Sequence, residues 1–491
     1  MSDPVLIDES IGKVDGQRAP VRQLRDIWAI DQRQPVVRLA QSPVGKLVLV
    51  ALFSAFAKLA GIPVSLSVVA AAFAFLPRYR NGIVVAGAML AMAWHPNVAL
   101  EGINEILFQQ GVPSRLAPLL KALALVAYFA CALGVLVLVR RDKTLFVARR
   151  PVTSLLGALA LLCLLGSSPF ITGLPRVALW AFVIVFAAFM WFFAYAVVDQ
   201  RSRERSPLLF QMGILHPFWG SSSTPFGKGA SFLRKHQART PEELAVTQVK
   251  GVKLLIWALL LGLIGNAIDA IFGVHLGIPR AELAYATFMA GKPYPVLVNW
   301  GSLIWGTITS AITIAVWGHK IVALARLAGY RLPRNTWRPL EARTLAEFWN
   351  RYYYYFKEML VEFFFFPTFL KTFRKHPRLR VFFATFMAAG VGNALYHFIR
   401  DIKYVALQGP LMAGESFVSY LFYCVVLALG IGISQARQTA GRKPSTTFLG
   451  TLWSVLCVWG FFVCLHVFGD EARTFPLRDR LAFFASLFGY S

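Results

Sequence analysis

The sequence predicts an all-α membrane protein: a polytopic helical bundle of roughly 11–13 membrane helices, one of them re-entrant. Of the 491 residues, 57% are hydrophobic and only 15% are charged, and the mean hydropathy is +0.57. The apolar residues are gathered into long stretches, and most basic residues lie between them. A soluble protein of this length cannot bury so much apolar surface, whereas helices in a bilayer can expose it to lipid.

The apolar stretches divide the chain into a short tail and one membrane domain. Residues 1–46 are polar and predict a cytoplasmic or interfacial N-terminal tail, and residues 47–491 form the membrane domain. A short apolar stretch closes the chain at 480–490. The longer stretches cover 47–61, 63–77, 82–95, 117–139, 151–169, 177–198, 252–274, 296–317, 381–398, 411–433 and 446–467.

The segment 346–370 is apolar and aromatic but carries Arg351, Lys357, Glu358 and Glu362. It is too charged for a plain span and too aromatic for a surface loop. We therefore expect a broken or re-entrant helix, which is tolerated where protein or water covers its polar groups.

The basic residues predict the orientation. The net charge is +26, and we expect these charges to fix topology and to contact anionic headgroups, with no role in binding nucleic acid. With a cytoplasmic N-terminus and a re-entrant 346–370, the cytoplasmic segments contain 37 Lys and Arg residues and the opposite side contains 9. The prediction is a multi-pass protein of the cell membrane, which in a bacterium is the inner membrane.

Polar groups at membrane depth are costly to bury and are therefore functional candidates. His397 follows a run of small residues, 388–394, that allows another helix to approach closely. Asn393 lies one helical turn before His397, on the same face. The most promising cluster comprises Gly329-Tyr-Arg-Leu332, Asn335, Pro339, Phe348-Trp-Asn-Arg351 and, further on, Leu395-Tyr-His-Phe398.

These residue types suit acyl transfer. Moving an acyl group from a thioester to a hydroxyl needs a base for the hydroxyl proton, and histidine serves near neutral pH. The reaction also needs a donor for the oxyanion or the thioester carbonyl, and an asparagine amide is suitable. The sequence has no evident Ser-His-Asp or Cys-His arrangement, so direct transfer without an acyl-enzyme is the simpler interpretation.

The ordered block over residues 329–351 and the later Tyr-His pair resemble the membrane-bound O-acyltransferase (MBOAT) superfamily, over residues 300–435. In that family a segment of the type G-y-r-l, N-f, P and F-W-x-R-W-H precedes a W-H-G in a buried helix. This chain departs from the pattern at two places: Tyr352-Tyr353 replaces W-H, and Phe398 replaces the final Gly. Some branches pair an Asn of the first block with the later His, and Asn350 with His397 corresponds to that version.

The resemblance implies a bacterial-type O-acyltransferase. His397 is then the general base and Asn350 the oxyanion donor, while Trp349, Arg351 and Asn393 are expected to bind substrate. The implied co-substrate is acyl-CoA or an acyl carrier protein, with no bound cofactor and no metal. The acceptor is a hydroxyl on a lipid, a glycan or an exported molecule, and a carrier protein or accessory subunit could take part.

The alternative function is a membrane transporter or flippase that uses the same polar residues without covalent chemistry. Acyl transfer is favoured by the block Phe348–Arg351 on a re-entrant segment, and by the absence of an inverted repeat of Gly- or Pro-broken spans from the sequence. Two polar pairs, Asn266/Asp269 and Glu358/Glu362, have helical-face spacing. They suit either a proton path or interhelical hydrogen bonds.

Overall fold

The all-α fold class is confirmed. The computed structural model describes residues 29–63, 65–94, 102–220, 223–442, 444–469 and 473–490. The chain is 77% helical, and within these ranges it contains no β-strand. An isolated bridge pairs Gln237 with Tyr330.

Most of the described chain lies in α-helices that are joined by short turns. In chain order they are α1 Gln34–Gln41, α2 Pro43–Leu59, α3 Ser65–Phe75, α4 Arg80–Trp94, α5 Ile103–Gln109, α6 Ala117–Arg141, α7 Phe146–Arg149, α8 Pro151–Ser167, α9 Gly173–Arg201, α10 Leu208–Leu215, α11 Ala230–Lys235, α12 Pro241–Asp269, α13 Ala281–Met289, α14 Val296–Leu327, α15 Leu345–Tyr352, α16 Tyr354–Leu360, α17 Phe366–Phe369, α18 Pro377–Phe386, α19 Asn393–Arg400, α20 Lys403–Gln408, α21 Pro410–Ser416, α22 Val418–Thr439, α23 Phe448–His466 and α24 Leu477–Ser486. Three π-helical segments extend or join these helices: Ala270–His275 after α12, Val361–Phe365 between α16 and α17, and Met387–Gly392 between α18 and α19.

Within the described ranges, seven helices are long and apolar enough to cross a membrane. They are Ser114–Arg141, Gly173–Arg201, Pro241–His275, Val296–Leu327, Pro377–Arg400, Val418–Thr439 and Phe448–His466. Two helix pairs that bend by 96° and 108° raise the number to nine if each pair is one span. In the first pair, the second helix α2 begins with Pro43, and in the second pair a 3-10 turn that begins with Pro77 leads into α4. A proline cannot continue the hydrogen-bond ladder of the helix before it. The chain is therefore a multi-pass membrane protein, and the other apolar stretches form shorter helices such as α8.

The described part of the N-terminal tail packs onto the bundle. Asp31 is 5% exposed and forms an ion pair with Lys253 of α12. Helix α1 packs against the same span. Residues 1–28 of the predicted tail 1–46 lie outside the described ranges.

Small residues allow the spans to approach one another closely. A Cβ atom at Gly251 of α12 would lie 3.0 Å from the backbone oxygen of Ala323 on α14. Likewise, a Cβ at Gly390 would lie 3.1 Å from the Cβ of Ala428 on α22. In lipid such close contact replaces the hydrophobic driving force between helices. The small-residue run 388–394 thus admits a neighbouring helix, as predicted.

The segment 344–377 enters the bundle and returns to the same end of it. At its start, Gln438 Nε2 donates to Thr344 Oγ1 at 3.1 Å, which places Thr344 at the C-terminal end of α22. At its return, the Arg380 guanidinium donates to the carbonyl oxygen of Phe369 near the start of α18. Because α18 and α22 are antiparallel neighbours, both ends of the segment meet the same end of α22. This is the geometry of a re-entrant segment.

We expect cysteines substituted at Arg343 and Arg378 to react with a membrane-impermeant thiol reagent from the cytoplasmic side only. Both positions flank the re-entrant segment at one end of the bundle, so they share one side of the membrane. The measurement uses sealed vesicles of known orientation and a background without the native cysteines, with Lys292→Cys as a control for the opposite side. Labelling of the two positions from opposite faces would contradict re-entry.

Candidate functional site

His397 lies in an aromatic part of the bundle interior, in the last turn of the span Pro377–Arg400. Its ring centre is 4.5 Å from that of Tyr420 on α22 and 5.8 Å from that of Phe356 on α16. The Nδ1 atom is buried and has no hydrogen-bond partner among the described residues. An unpaired buried polar group costs about 1–3 kcal/mol. The chain therefore keeps an imidazole here that stability alone does not favour.

Asn393 lies one helical turn before His397, as predicted from the sequence. It is 2% exposed, and its Oδ1 atom is also buried without a partner in the described part of the chain. The helix directly before it, Met387–Gly392, widens into a π-helix, a feature that occurs frequently at functional sites. Two unpaired polar groups on one helix face offer hydrogen bonds to a substrate in otherwise aromatic surroundings.

Buried Nδ1 atoms without partners also occur in His216 and His319. His397 differs from these two histidines in that an aromatic ring of the re-entrant segment packs on it. Trp349 contacts Phe356 with 6.0 Å between ring centres, and Phe356 in turn contacts His397. The two parts of the sequence block, separate in the chain, therefore meet around this imidazole.

The structure does not bring Asn350 or Arg351 to His397. Asn350 is exposed, and the Arg351 guanidinium forms an ion pair with Glu347 one turn earlier on α15. The apolar residues of α15 recur at the spacing i, i+3, i+4 and i+7, so they form one face, and Asn350 and Arg351 lie on the other. The Asn350–His397 pairing that the family pattern implies is absent from this arrangement.

A cavity of about 80 Å³ lies between α14, α15, α22 and α23, beside the surroundings of His397. Its walls are mostly aromatic and include Trp349 and Tyr352 of the sequence block. His466 also lines the cavity. Its Nε2 atom packs so closely against Gly306 that a Cβ atom at this glycine would lie 2.7 Å from it. Sequence reasoning misses His466, because a lone histidine at the end of an apolar stretch has no spacing that points to a site.

The acidic groups of the two polar pairs are engaged in contacts between segments. Asp269 accepts a hydrogen bond from Trp305 Nε1 at 2.8 Å and forms an ion pair with Arg280 at 2.9 Å. Glu358 forms an ion pair with Lys228 at 2.8 Å. A carboxylate inside a membrane bundle needs such a partner, because an isolated charge there is expensive. The contacts favour the interhelical interpretation over a proton path.

Charged groups surround the end of the bundle next to α19. Arg473 has a side chain that is 3% exposed, and it lies 3.4 Å from Asp401. Its guanidinium also lies over the rings of Tyr404 and Phe417, at 4.5 and 5.0 Å. Burial lowers the pKa of Arg473, and the Asp401 carboxylate opposes that shift. An arginine stays protonated in proteins, so this end of the site carries a fixed positive charge paired with a carboxylate.

Within the described residues, no group of three or more His, Cys, Asp or Glu side chains is arranged to hold a metal ion. In comparisons with known proteins, the chain matches no protein-family model and no curated protein. The likeness to the MBOAT superfamily therefore rests on the ordered block and the later Tyr-His pair alone, and function is argued from the site.

Proposed function

We propose that the chain is a membrane-embedded O-acyltransferase. The donor is an acyl thioester of coenzyme A or of an acyl carrier protein, and the acceptor is a hydroxyl of a lipid, a glycan or an exported molecule. The observation that carries the proposal is the imidazole of His397, whose Nδ1 atom is buried and unpaired in the described chain, with the unpaired amide oxygen of Asn393 one turn away. The packing of the re-entrant segment on the same imidazole supports it.

The imidazole of His397 acts as general base in the proposed reaction. It accepts the proton of the acceptor hydroxyl while that oxygen attacks the thioester carbonyl carbon. Negative charge then develops on the carbonyl oxygen of a tetrahedral intermediate, where a positioned donor stabilises it. The C–S bond breaks, and the imidazolium returns its proton to the departing thiolate. The products are an ester and a free thiol, and no acyl-enzyme is required.

The position of His397 favours an acceptor that approaches from the extracytoplasmic side. In the orientation that the charge count predicts, α18 begins at the cytoplasmic face. His397 is in the last turn of the span, so it then lies in the outer half of the membrane. The basic segment 328–344 lies before the re-entrant helix and would attract an anionic donor such as coenzyme A from the cytoplasm.

We expect ester formation when the donor is supplied on the cytoplasmic face of sealed vesicles and a membrane-impermeant acceptor on the opposite face. Thioesters from acetyl to stearoyl should be tried, with His397→Gln vesicles as the control. Product that forms only when both substrates share the cytoplasmic face would contradict the assigned acceptor side. No product in any arrangement, together with movement of the acceptor across the membrane, would favour the transporter alternative.

A further inference from the structure

The loop 223–229, here called the interior loop, lies inside the bundle although its sequence places it in the longest stretch without an apolar span. Thr224 is 0% exposed and Phe226 is 2% exposed. The Phe226 ring packs against Trp317 on α14 and against Tyr355 on α16, with ring centres 5.3 and 4.6 Å apart. A polar loop that occupies the interior of a membrane bundle must have its polar groups satisfied by the protein around it.

The Thr224 hydroxyl contacts two tyrosine hydroxyls, one from the re-entrant segment and one from the helix of His397. The Tyr353 hydroxyl donates to Thr224 Oγ1 at 3.1 Å, and the Tyr396 hydroxyl lies 2.7 Å from the same oxygen. Tyr353 occupies the break between α15 and α16, whereas Tyr396 is the neighbour of His397 on α19. One hydroxyl group thus links the break between α15 and α16 to the helix that carries the imidazole.

The backbone of the interior loop is held in an unusual conformation. Gly227, Lys228 and Gly229 all have positive φ, at 95°, 54° and 100°. A lysine in this region is disfavoured sterically. Its ammonium group lies 2.8 Å from the buried carboxylate of Glu358, which accounts for a lysine at this position. The ion pair of Lys228 and the ring contacts of Phe226 fix the loop directly after Thr224, so the two tyrosine hydroxyls meet a held partner.

We propose that Thr224 is a positioning residue of the proposed acyl transfer. By holding Tyr353 and Tyr396 together, it sets the distance between the re-entrant segment and the imidazole of His397. The inference rests on the proposed function, because it assigns a role within that reaction. A positioning role differs from a role in folding alone. It requires the hydrogen bonds among the three hydroxyls to fix the distance between the two helices as well as to stabilise the fold.

Thr224→Val removes the shared hydroxyl with almost no change of shape. We expect it to lower kcat for acyl transfer about ten- to a hundredfold, because a displacement on the order of 1 Å costs about that much, and to leave the donor KM nearly unchanged. Thr224→Ser should restore kcat. The matched control is Thr247→Val, which removes a buried threonine hydroxyl that bonds only within its own helix, and it should keep the wild-type kcat. An equal loss in both valine variants would overturn the proposal.

The triple variant Thr224→Val, Tyr353→Phe and Tyr396→Phe separates positioning from stability. With all three hydroxyls removed, none of the three is left facing a partner it has lost within the group, and thermal stability should be higher than in Thr224→Val. The link between the helices is still absent, so kcat should stay low. If both Tm and kcat of the triple variant recover, the three hydroxyls serve only the stability of the fold, and the positioning role is wrong.

A distance measurement tests the link without any assay of acyl transfer. Spin labels at the exposed positions Asn350 and Val391 report the separation of α15 from the helix of His397. Thr224→Val should broaden the distance distribution, and Thr224→Ser should keep it narrow. A distribution unchanged by Thr224→Val would overturn the link. If the wild-type protein transfers no acyl group and the distribution still broadens, the proposed function fails while the link between the helices stands.

Discussion

His397→Gln is expected to lower the rate of acyl transfer by about a hundred- to ten-thousandfold, the range over which a positioned general base contributes. Glutamine fills similar space but cannot accept a proton near neutral pH. Stability should stay near that of the wild type, because glutamine is polar and of similar size and the substitution removes no hydrogen bond of Nδ1 among the described residues. The measurement is the initial rate at saturating donor, together with the melting temperature in detergent.

The matched control for this substitution is His216→Gln. His216 also has a buried Nδ1 atom without a partner in the described ranges, but the ring that packs on it is Phe189 of α9 and not a residue of the re-entrant segment. It should therefore keep the wild-type rate. Equal rate losses in the two variants would make the effect one of packing, and loss of folding in His397→Gln alone would make His397 structural.

Asn393→Ala is expected to cost far more activity than Asn350→Ala. Asn393 is buried one turn from His397, its amide N–H groups can donate to the developing oxyanion, and loss of one such donor lowers the rate about a hundred- to a thousandfold. Asn350 is exposed on the polar face of α15, so its alanine variant should lie close to the wild-type rate. The measurement compares kcat of the two variants under the same donor and acceptor.

The comparison decides between two assignments of the asparagine role. A loss in Asn350→Ala as large as that in Asn393→Ala would restore the pairing of Asn350 with His397 that the family pattern implies, and would mean that α15 rearranges when substrate binds. A loss in neither variant would remove both amides from the mechanism.

The fold class and the re-entrant segment could be predicted from the sequence because lipid imposes simple constraints. Apolar stretches need a bilayer, and the basic run 371–380 must stay on the side with the other basic segments. The four charges in 346–370 exclude a plain span, and the structure indeed returns this segment to the end where it started. Asn393 is placed beside His397 by helical spacing alone.

The exposed position of Asn350 follows from the sequence of α15. Leu345, Phe348, Trp349 and Tyr352 recur at the spacing of one helix face, and Asn350 falls outside that face. The family pattern pairs Asn350 with His397, whereas the spacing within α15 places Asn350 on the exposed face, where the structure has it.

The interior loop and the cavity at His466 could not be predicted. Thr224 lies in a Gly- and Ser-rich stretch that reads as a surface loop, and its partners Tyr353 and Tyr396 are more than a hundred residues away in the chain. The π-helical segments Met387–Gly392 and Val361–Phe365 also depend on tertiary packing, since no local sequence pattern specifies them. Contacts over such separations are visible only in the folded chain.

The most direct test of the proposed acyltransferase is a high-resolution structure with a non-hydrolysable acyl thioester analogue. We expect density for the carbonyl group within hydrogen-bond reach of His397 and Asn393, with the anionic part of the donor at the end of the bundle that contains Thr344. Density for the analogue confined to the cavity at His466, with His397 untouched, would contradict the account.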